Sequence, residues 1–209
     1  MRLIAALCLL LVWAAPLAAG PWPRPAGERF ISLSRDGGGT SLWVESGIDG
    51  RQWLVGQARR DRGGARFLGL SWRRSLVAED AVQRLAVSLG AEYRDRGTRA
   101  WLRPGVMWGR GFERPVPGWV AASMVASVPL RRAGSVELDG ALTLGARPVP
   151  QWLTMVQFQG ERDQRESRFH LAPSVAWEWR AGSHLQLGLR QQLGGDRRRS
   201  VTLASWLRF

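Results

Sequence analysis

The sequence predicts an all-β fold, an antiparallel up-and-down barrel, and three observations support this prediction. Apolar and polar residues alternate with a period of two from residue 30 to the last residue, as in strands with one apolar and one polar face. Turns rich in glycine, proline and charge separate the alternating runs, and no run keeps the 3.6-residue period of a helix. The number of runs is even, which places both chain ends on one side of a closed barrel.

The first nineteen residues are predicted to be a cleaved export signal. Met1 and Arg2 give a positively charged end, residues 3–12 form an unbroken apolar run, and small residues follow up to Ala19. This order is typical of a secretory signal peptide, and the apolar run is too short for a stable membrane span. A retained anchor helix is the alternative interpretation.

Cleavage after the signal divides the chain into two further parts. Residues 20–29 are predicted as a periplasmic N-terminal segment and residues 30–209 as the barrel. The one cysteine of the sequence, Cys8, lies in the signal. The mature chain therefore has no disulfide, although an oxidising compartment would permit one.

The turns between the alternating runs give the strand count. Six turns are charged and glycine-rich, and five milder or proline-bearing turns lie between them, which gives eleven connections and twelve strands. About 16 residues are then available for each strand and its connection, which suits transmembrane strands of roughly 9–11 residues. The first strand, near residues 30–34, has the weakest alternation, so ten strands remain an alternative. No internal repeat or second domain appears.

Aromatic residues fall at two levels along the predicted strands, as in the girdles of a barrel at two membrane interfaces. A soluble sandwich would instead bury its large aromatic side chains mid-strand. Near the milder turns lie Trp53, Trp108, Trp119, Trp152, Trp177, Trp179 and Phe209, and near the arginine-bearing turns lie Phe67, Tyr93, Phe158 and Phe169. Trp43, Trp101 and Trp206 share a face with polar neighbours and are expected to point inward.

The last ten residues alternate strictly and end on phenylalanine, with Val201, Leu203, Leu207 and Phe209 on one face. This strand resembles the C-terminal signal strand of bacterial outer-membrane β-barrel proteins, including small proteobacterial ones. The resemblance implies an outer-membrane location, insertion by the barrel-assembly machinery, and contact with outer-membrane lipid and lipopolysaccharide. It selects no function. An ordinary edge strand that ends by chance in phenylalanine is the alternative.

The polar face of the strands is predicted to line the barrel lumen. It carries Glu45, Arg73, Arg84, Glu92, Arg103, Glu137, Asp139, His170, Glu178, His184 and Arg190. These charges either form the facing acid and arginine walls of a narrow passive channel for small polar or charged solutes, or pair with one another and fill the interior. In the second case the barrel is non-conducting, with a structural or surface-interaction role. The sequence leaves both functions open.

The sequence gives little support for a catalytic site, and we predict that the chain is not an enzyme. Glu137 and Asp139 face the same way but are expected to pair with arginines. His170 and Ser174 lie roughly 13 Å apart along one strand, too far for a base and its nucleophile. With two histidines and no mature cysteine, we expect no zinc site and no cofactor. A lipid-active barrel enzyme is the third, least supported class.

The net charge is +13, and all thirty basic residues are arginine. Nucleic acid is not the expected partner, because the chain is exported and its arginines are scattered over separate turns. Lipopolysaccharide phosphates fit better, since a guanidinium group binds phosphate bidentately. The candidate contacts are Arg59, Arg60, Arg62, Arg197, Arg198 and Arg199. Solvated loops without a partner are the alternative, and the sequence does not set the oligomeric state.

Overall fold

The computed structural model describes residues 20–37, 39–97, 99–131, 135–163, 166–194 and 198–209. The predicted signal, residues 1–19, and Arg197 lie outside the described residues. Within the described part of the chain, no helix is long and apolar enough to cross a membrane.

Twelve antiparallel strands close into one barrel, in which each strand pairs with the next along the chain and the first pairs with the last. The twelve-strand prediction is confirmed and the ten-strand alternative is wrong. The first strand is fully formed and begins at Arg29, one residue before the predicted start of the barrel. The strands are β1 Arg29–Asp36, β2 Gly39–Gly47, β3 Gln52–Asp61, β4 Arg66–Ser75, β5 Gln83–Arg94, β6 Ala100–Phe112, β7 Gly118–Pro129, β8 Glu137–Val149, β9 Trp152–Arg162, β10 Ser167–Arg180, β11 Ser183–Leu193 and β12 Arg199–Arg208.

β1 begins and β12 ends at the same end of the barrel, which we call the base; the opposite end is the mouth. The connections are short at both ends, and the longest ones, 76–82 and 130–136, have seven residues each. At the base, Gly182 turns the chain between β10 and β11 with φ +74°, a left-handed conformation that favours glycine. The interior is therefore occupied by inward side chains and by the N-terminal segment, not by a long loop.

The base turn between β2 and β3 is held by one carboxylate. Asp49 accepts hydrogen bonds from the backbone N–H groups of Arg51 and Gln52 at 3.0 and 2.7 Å. These hydrogen bonds, that of Arg51 first, lower the pKa of the Asp49 carboxyl below its usual value.

The outer face of the barrel carries a continuous apolar band. Its aliphatic side chains are between 39% and 61% exposed, a large exposed apolar surface that matches the lipid-facing band of a transmembrane barrel. They include Leu33, Leu54, Leu68, Leu70, Leu89, Val106, Met124, Leu142, Leu144, Val156, Leu185, Leu187, Leu189, Val201 and Leu203.

Two stacked pairs mark the aromatic levels on the outer face. At the base, Trp152 and Trp177 stack with ring centroids 6.3 Å apart. At the mouth, Phe158 and Phe169 stack at 5.7 Å. All four rings are exposed, as aromatic girdles at two membrane interfaces require.

The girdle prediction is wrong for Trp53, Trp119 and Phe67, which face the interior. Trp53 and Trp119 are only 0% and 3% exposed, and Phe67 lines an internal cavity. The distance of a residue from a turn gives its level along the barrel axis. Its parity, meaning its odd or even position in the alternation along the strand, gives the face on which it lies. Leu54, next to Trp53, takes the outward position instead.

The last residue completes the seam between β1 and β12. The backbone N–H of Arg29 donates to the Phe209 carbonyl at 2.7 Å, and the Phe209 N–H donates back at 3.1 Å. The Phe209 ring is 64% exposed on the outer face, beside the exposed side chains of Leu207, Leu203 and Val201.

Deletion of Phe209 should impair assembly, because it removes both backbone hydrogen bonds at the seam together with the ring. Phe209→Ala should impair assembly less, since it keeps the backbone bonds. Heat-modifiable migration on a gel measures the folded fraction. Phe169→Ala, which removes an outward ring far from the seam, is the control and should assemble normally. Normal assembly of the deletion variant would contradict a role for this residue in closure.

Candidate functional site: the barrel interior

The base half of the interior is closed by a layer of buried side chains, which we call the base layer. Each of the twelve strands contributes at least one inward side chain that is 8% exposed or less. In a water-filled pore these side chains would contact water, so the lumen is occluded at this level. The layer contains Phe30, Glu45, Trp53, Ser75, Ala86, Met107, Trp119, Thr143, Leu153, Ala176, His184 and Trp206.

The N-terminal segment, residues 20–28, packs against this layer inside the base. Pro21 is fully buried, and the Trp22 ring packs against the inner apolar cluster. The facing wall has a glycine, Gly109, at which a Cβ atom would lie 2.6 Å from the Trp22 ring and 2.7 Å from Pro21. The missing side chain thus makes room for the segment.

A buried ion pair fixes this segment to the wall. The Arg24 Nε donates to Glu45 Oε2 at 2.6 Å, and the Trp43 indole N–H donates to Glu45 Oε1 at 2.9 Å. The Arg24 guanidinium also lies 4.7 Å from the centre of the Phe30 ring. Arg24 also pairs with Glu28 at 3.5 Å. Arg24 is 5% exposed and Glu45 2%, so removal of Arg24 would leave the buried Glu45 carboxylate without its ion pair.

Towards the mouth, two arginines hold three carboxylates in one network. Arg94 pairs with Glu92 at 2.7 Å and with Glu137 at 2.9 Å. Arg103 pairs with Asp139 at 2.9 Å and also binds the second oxygen of Glu92. Four of the predicted lumen residues, Glu92, Arg103, Glu137 and Asp139, are thus brought together. Arg94 is not among the predicted lumen residues but shares their inward parity.

This network crosses from β5 and β6 to β8 over the inward face of β7. In the mouth half of β7 the inward residues are small: Ser123, Val125 and Ser127. Long arginine side chains can therefore reach over this strand to the acids beyond it. Parity places these residues on the lumen face, but the pairing depends on strand register and on the size of the residues between.

A second network is centred on Arg190 of β11. Its guanidinium pairs with Glu161 of β9 at 3.0 Å and with Asp36 of β1 at 3.8 Å. It also lies 3.3 Å from the His170 Nδ1. The predicted lumen residues His170 and Arg190 therefore meet, and one arginine connects strands on both sides of it.

A third group lies near the base and is centred on Glu178. Arg147 pairs with its carboxylate at 3.2 Å, and the Gly182 backbone N–H donates to it at 3.0 Å. The buried His184 ring lies 3.5 Å from the same carboxylate and 5.7 Å from the Trp206 ring. Glu178 and His184 are thus joined at the base, away from the mouth networks.

Among the described residues, the predicted arginines Arg59, Arg73 and Arg84 form no ion pair with a carboxylate. Arg84 donates to the Ala78 carbonyl at 2.9 Å, at the rim of the base. Arg73 lies over the Trp43 ring at 5.1 Å. Arg59 lies over the Phe67 ring at 4.2 Å on the inner face of β3, near the mouth, and its assignment as a lipopolysaccharide contact stays a prediction. Arg59 lies next to a charged turn, but its position in β3 places it on the inward face.

The networks surround a cavity of about 480 Å³ near the mouth, which we call the mouth cavity. Five arginines and five carboxylates line it, together with two glutamine side chains. Its wall is therefore strongly polar but balanced in charge. The wall contains Arg59, Arg94, Arg103, Arg162, Arg168, Glu92, Glu137, Asp139, Glu161, Asp163, Gln57 and Gln159.

The groups considered for catalysis bind separate partners. The Ser174 hydroxyl accepts a hydrogen bond from Gln186 at 2.9 Å, whereas His170 contacts Arg190. Glu137 and Asp139 bind different arginines. In the described ranges, no group of three or more His, Cys, Asp or Glu residues is arranged to hold a metal ion.

Comparison with solved structures identifies similar barrels. The chain resembles the KdgM porin with a TM-score of 0.66, over 87% of this chain and 99% of that one, at 8% sequence identity. The KdgM porin in complex with disordered oligogalacturonate gives a TM-score of 0.67 with the same identity and coverage. The NanC porin gives 0.64 at 8% identity, over 87% of this chain and 98% of that one.

The chain has the fold of these porins. The predicted outer-membrane β-barrel fold is thereby confirmed, and these structural neighbours are porins and not enzymes. No family model matches the sequence, and no curated protein matches it. At 8% identity the likeness concerns the fold alone.

Glu92→Gln should destabilise the barrel, because Glu92 accepts from both Arg94 and Arg103 and is 8% exposed. We expect the free energy of unfolding to fall by about 2 kcal/mol, the scale of a charge-assisted hydrogen bond. Urea unfolding in detergent, followed by tryptophan fluorescence, measures it. The control is Glu166→Gln, whose side chain is 68% exposed and pairs with Arg168 at 3.7 Å. Equal effects of the two substitutions would contradict a structural role for the network.

Proposed function

We propose that this chain is an outer-membrane barrel that passes small polar or charged solutes passively, and that the conformation described here is its closed state. The mouth cavity supports this proposal most directly. Its facing arginines and carboxylates are the kind of lining that orients a charged or polar solute and excludes bulky apolar ones. The porin fold is the second support.

The proposed solutes are not restricted to anions. One neighbouring porin was solved in complex with an oligogalacturonate. In the present chain, five carboxylates offset the five arginines of the mouth cavity. A balanced wall attracts neither sign of charge strongly over the whole cavity, so zwitterionic and neutral polar solutes fit as well.

Passage requires the base layer to open, and the N-terminal segment is the part best suited to move. Its described backbone hydrogen bonds to the wall begin at Gly27, which donates to the Gly47 carbonyl at 3.2 Å. Before that residue, the Arg24 ion pair with Glu45 and the packing of Pro21 and Trp22 hold it. We therefore propose that residues 20–26 act as a plug and that Arg24 is its latch.

Recordings in planar bilayers test this proposal. The mature barrel should give discrete current steps, and Arg24→Gln should raise the open probability at least fivefold, because it weakens a buried ion pair. Arg29→Gln is the matched control, since it removes one positive charge from an exposed position nearby. Its open probability should equal that of the wild type.

A non-conducting barrel with a structural or surface-interaction role is the second candidate. The base layer favours it, because all twelve strands contribute to the occlusion and the N-terminal segment covers only part of it. If the folded wild type, Arg24→Gln and a variant without residues 20–27 all pass no current at any voltage, the channel proposal is contradicted and this second function takes its place.

We also propose an outer-membrane location, insertion by the barrel-assembly machinery through the last strand, and contact of mouth arginines with lipopolysaccharide phosphates. Arg60, Arg62, Arg198 and Arg199 are exposed at the mouth. Their guanidinium groups are suited to bidentate phosphate contacts.

Replacement of Arg60 and Arg62 together by glutamine should weaken binding of the folded barrel to purified lipopolysaccharide several-fold, because two phosphate-binding groups are lost. Fluorescence titration with labelled lipopolysaccharide in detergent measures this binding. The double variant Arg74→Gln and Arg110→Gln removes two exposed arginines near the base and should bind normally. Equal losses in both double variants would show a general charge effect and contradict a contact at the mouth.

A further inference from the structure

We propose that the barrel interior contains a binding site for a small oxyanion, centred on Arg73 at the floor of the mouth cavity. A second cavity of about 270 Å³ lies there and shares Gln57, Arg103 and Ser123 with the wall of the mouth cavity. Binding at this site does not require conduction, so the inference goes beyond the proposed channel function.

Arg73 is a cation on the inner wall without an anionic partner. It forms no ion pair with any residue that the structure describes, and its Nε is buried without a hydrogen-bond partner. Its guanidinium lies over the Trp43 ring. The carboxylate of Glu45 is already bound by Arg24 and by the Trp43 indole. Glu45 attracts the Arg73 guanidinium electrostatically but forms no ion pair with it. A further anion at hydrogen-bond distance would therefore stabilise Arg73.

Arg103 supplies a second guanidinium group to the wall of the same cavity. Its two terminal nitrogens bind Glu92 and Asp139, but its Nε is also buried without a partner. Two guanidinium groups thus line the cavity.

The remaining polar groups of this cavity are neutral. Ser71, Ser88 and Ser123 contribute hydroxyl groups, and Gln57 contributes an amide. None of its described lining residues is Asp or Glu, in contrast to the five carboxylates of the mouth cavity. Hydroxyl and amide N–H groups donate hydrogen bonds to oxyanions, and a wall without carboxylates does not repel them.

The size and surroundings of the cavity limit the ligand to a small ion. A volume of about 270 Å³ corresponds to about nine water molecules at roughly 30 Å³ each. A tetrahedral oxyanion with five heavy atoms fits there together with part of its hydration shell. Trp43 and Met107 border the cavity, and the base layer closes it below. The ligand class is therefore phosphate or sulfate, and it enters from the mouth.

Calorimetric titration tests the proposal, with the mature barrel folded in a maltoside detergent that contains no phosphate. Inorganic phosphate, and sulfate as a second probe, should bind the wild type saturably at one site. Arg73→Gln should weaken binding at least tenfold, because it removes the central charge and its donors. Arg74→Gln, the next residue of the same strand on the opposite, exposed face, is the matched control and should bind within twofold of the wild type.

Ser88→Ala provides a second variant that leaves every charge in place. It should weaken phosphate binding at least threefold, and it decides the question if Arg73→Gln does not fold. The proposal is overturned if the wild type shows no saturable binding, or if Arg73→Gln binds within twofold of the wild type. It is equally overturned if Arg74→Gln loses as much affinity as Arg73→Gln, or if Ser88→Ala binds like the wild type.

Discussion

Closure of the sheet is the constraint on which the rest of this structure depends. A strand edge exposed to lipid leaves backbone groups unpaired, so β1 must pair with β12. Once the sheet is closed, every strand has one face towards lipid and one towards the lumen. The outer face carries a continuous apolar band, and at the height of this band the inner face has to accommodate the charge and also part of the tryptophan content of the chain.

Along the barrel axis the lumen has two parts, and their side chains differ. At the base, large apolar side chains and the buried Arg24–Glu45 pair exclude water. Towards the mouth, arginines reach over intervening strands and neutralise acids two or three strands away. This arrangement balances the charge of the mouth cavity but leaves Arg73, between the two halves, without a partner of its own. The closed base and the anion site are therefore consequences of the same packing.

Much of this architecture could be predicted from the sequence, because a period of two encodes both the strands and the face of each residue. Parity places Glu92, Arg103 and Asp139 on the lumen side, where the structure has them. Proximity to a turn does not predict the face of Trp53 or Trp119, whereas their position in the alternation along the strand does. The Arg24–Glu45 pair could not be predicted, since no periodicity connects an irregular segment to a strand. That Arg73 has no ion pair could not be predicted either, because it depends on the binding of the Glu45 carboxylate by Arg24 and Trp43.

The central claim is that the lumen is open to water at the mouth and sealed at the base. Cysteine accessibility tests it directly, because the predicted mature chain has no cysteine of its own. In the folded barrel, a cysteine at Gln159, in the mouth cavity, should react rapidly with a charged, membrane-impermeant thiol reagent. A cysteine at Ala176, which is 0% exposed in the base layer, should react at least a hundredfold more slowly. Equal reaction rates at Gln159→Cys and Ala176→Cys would show a water-filled base and contradict the claim.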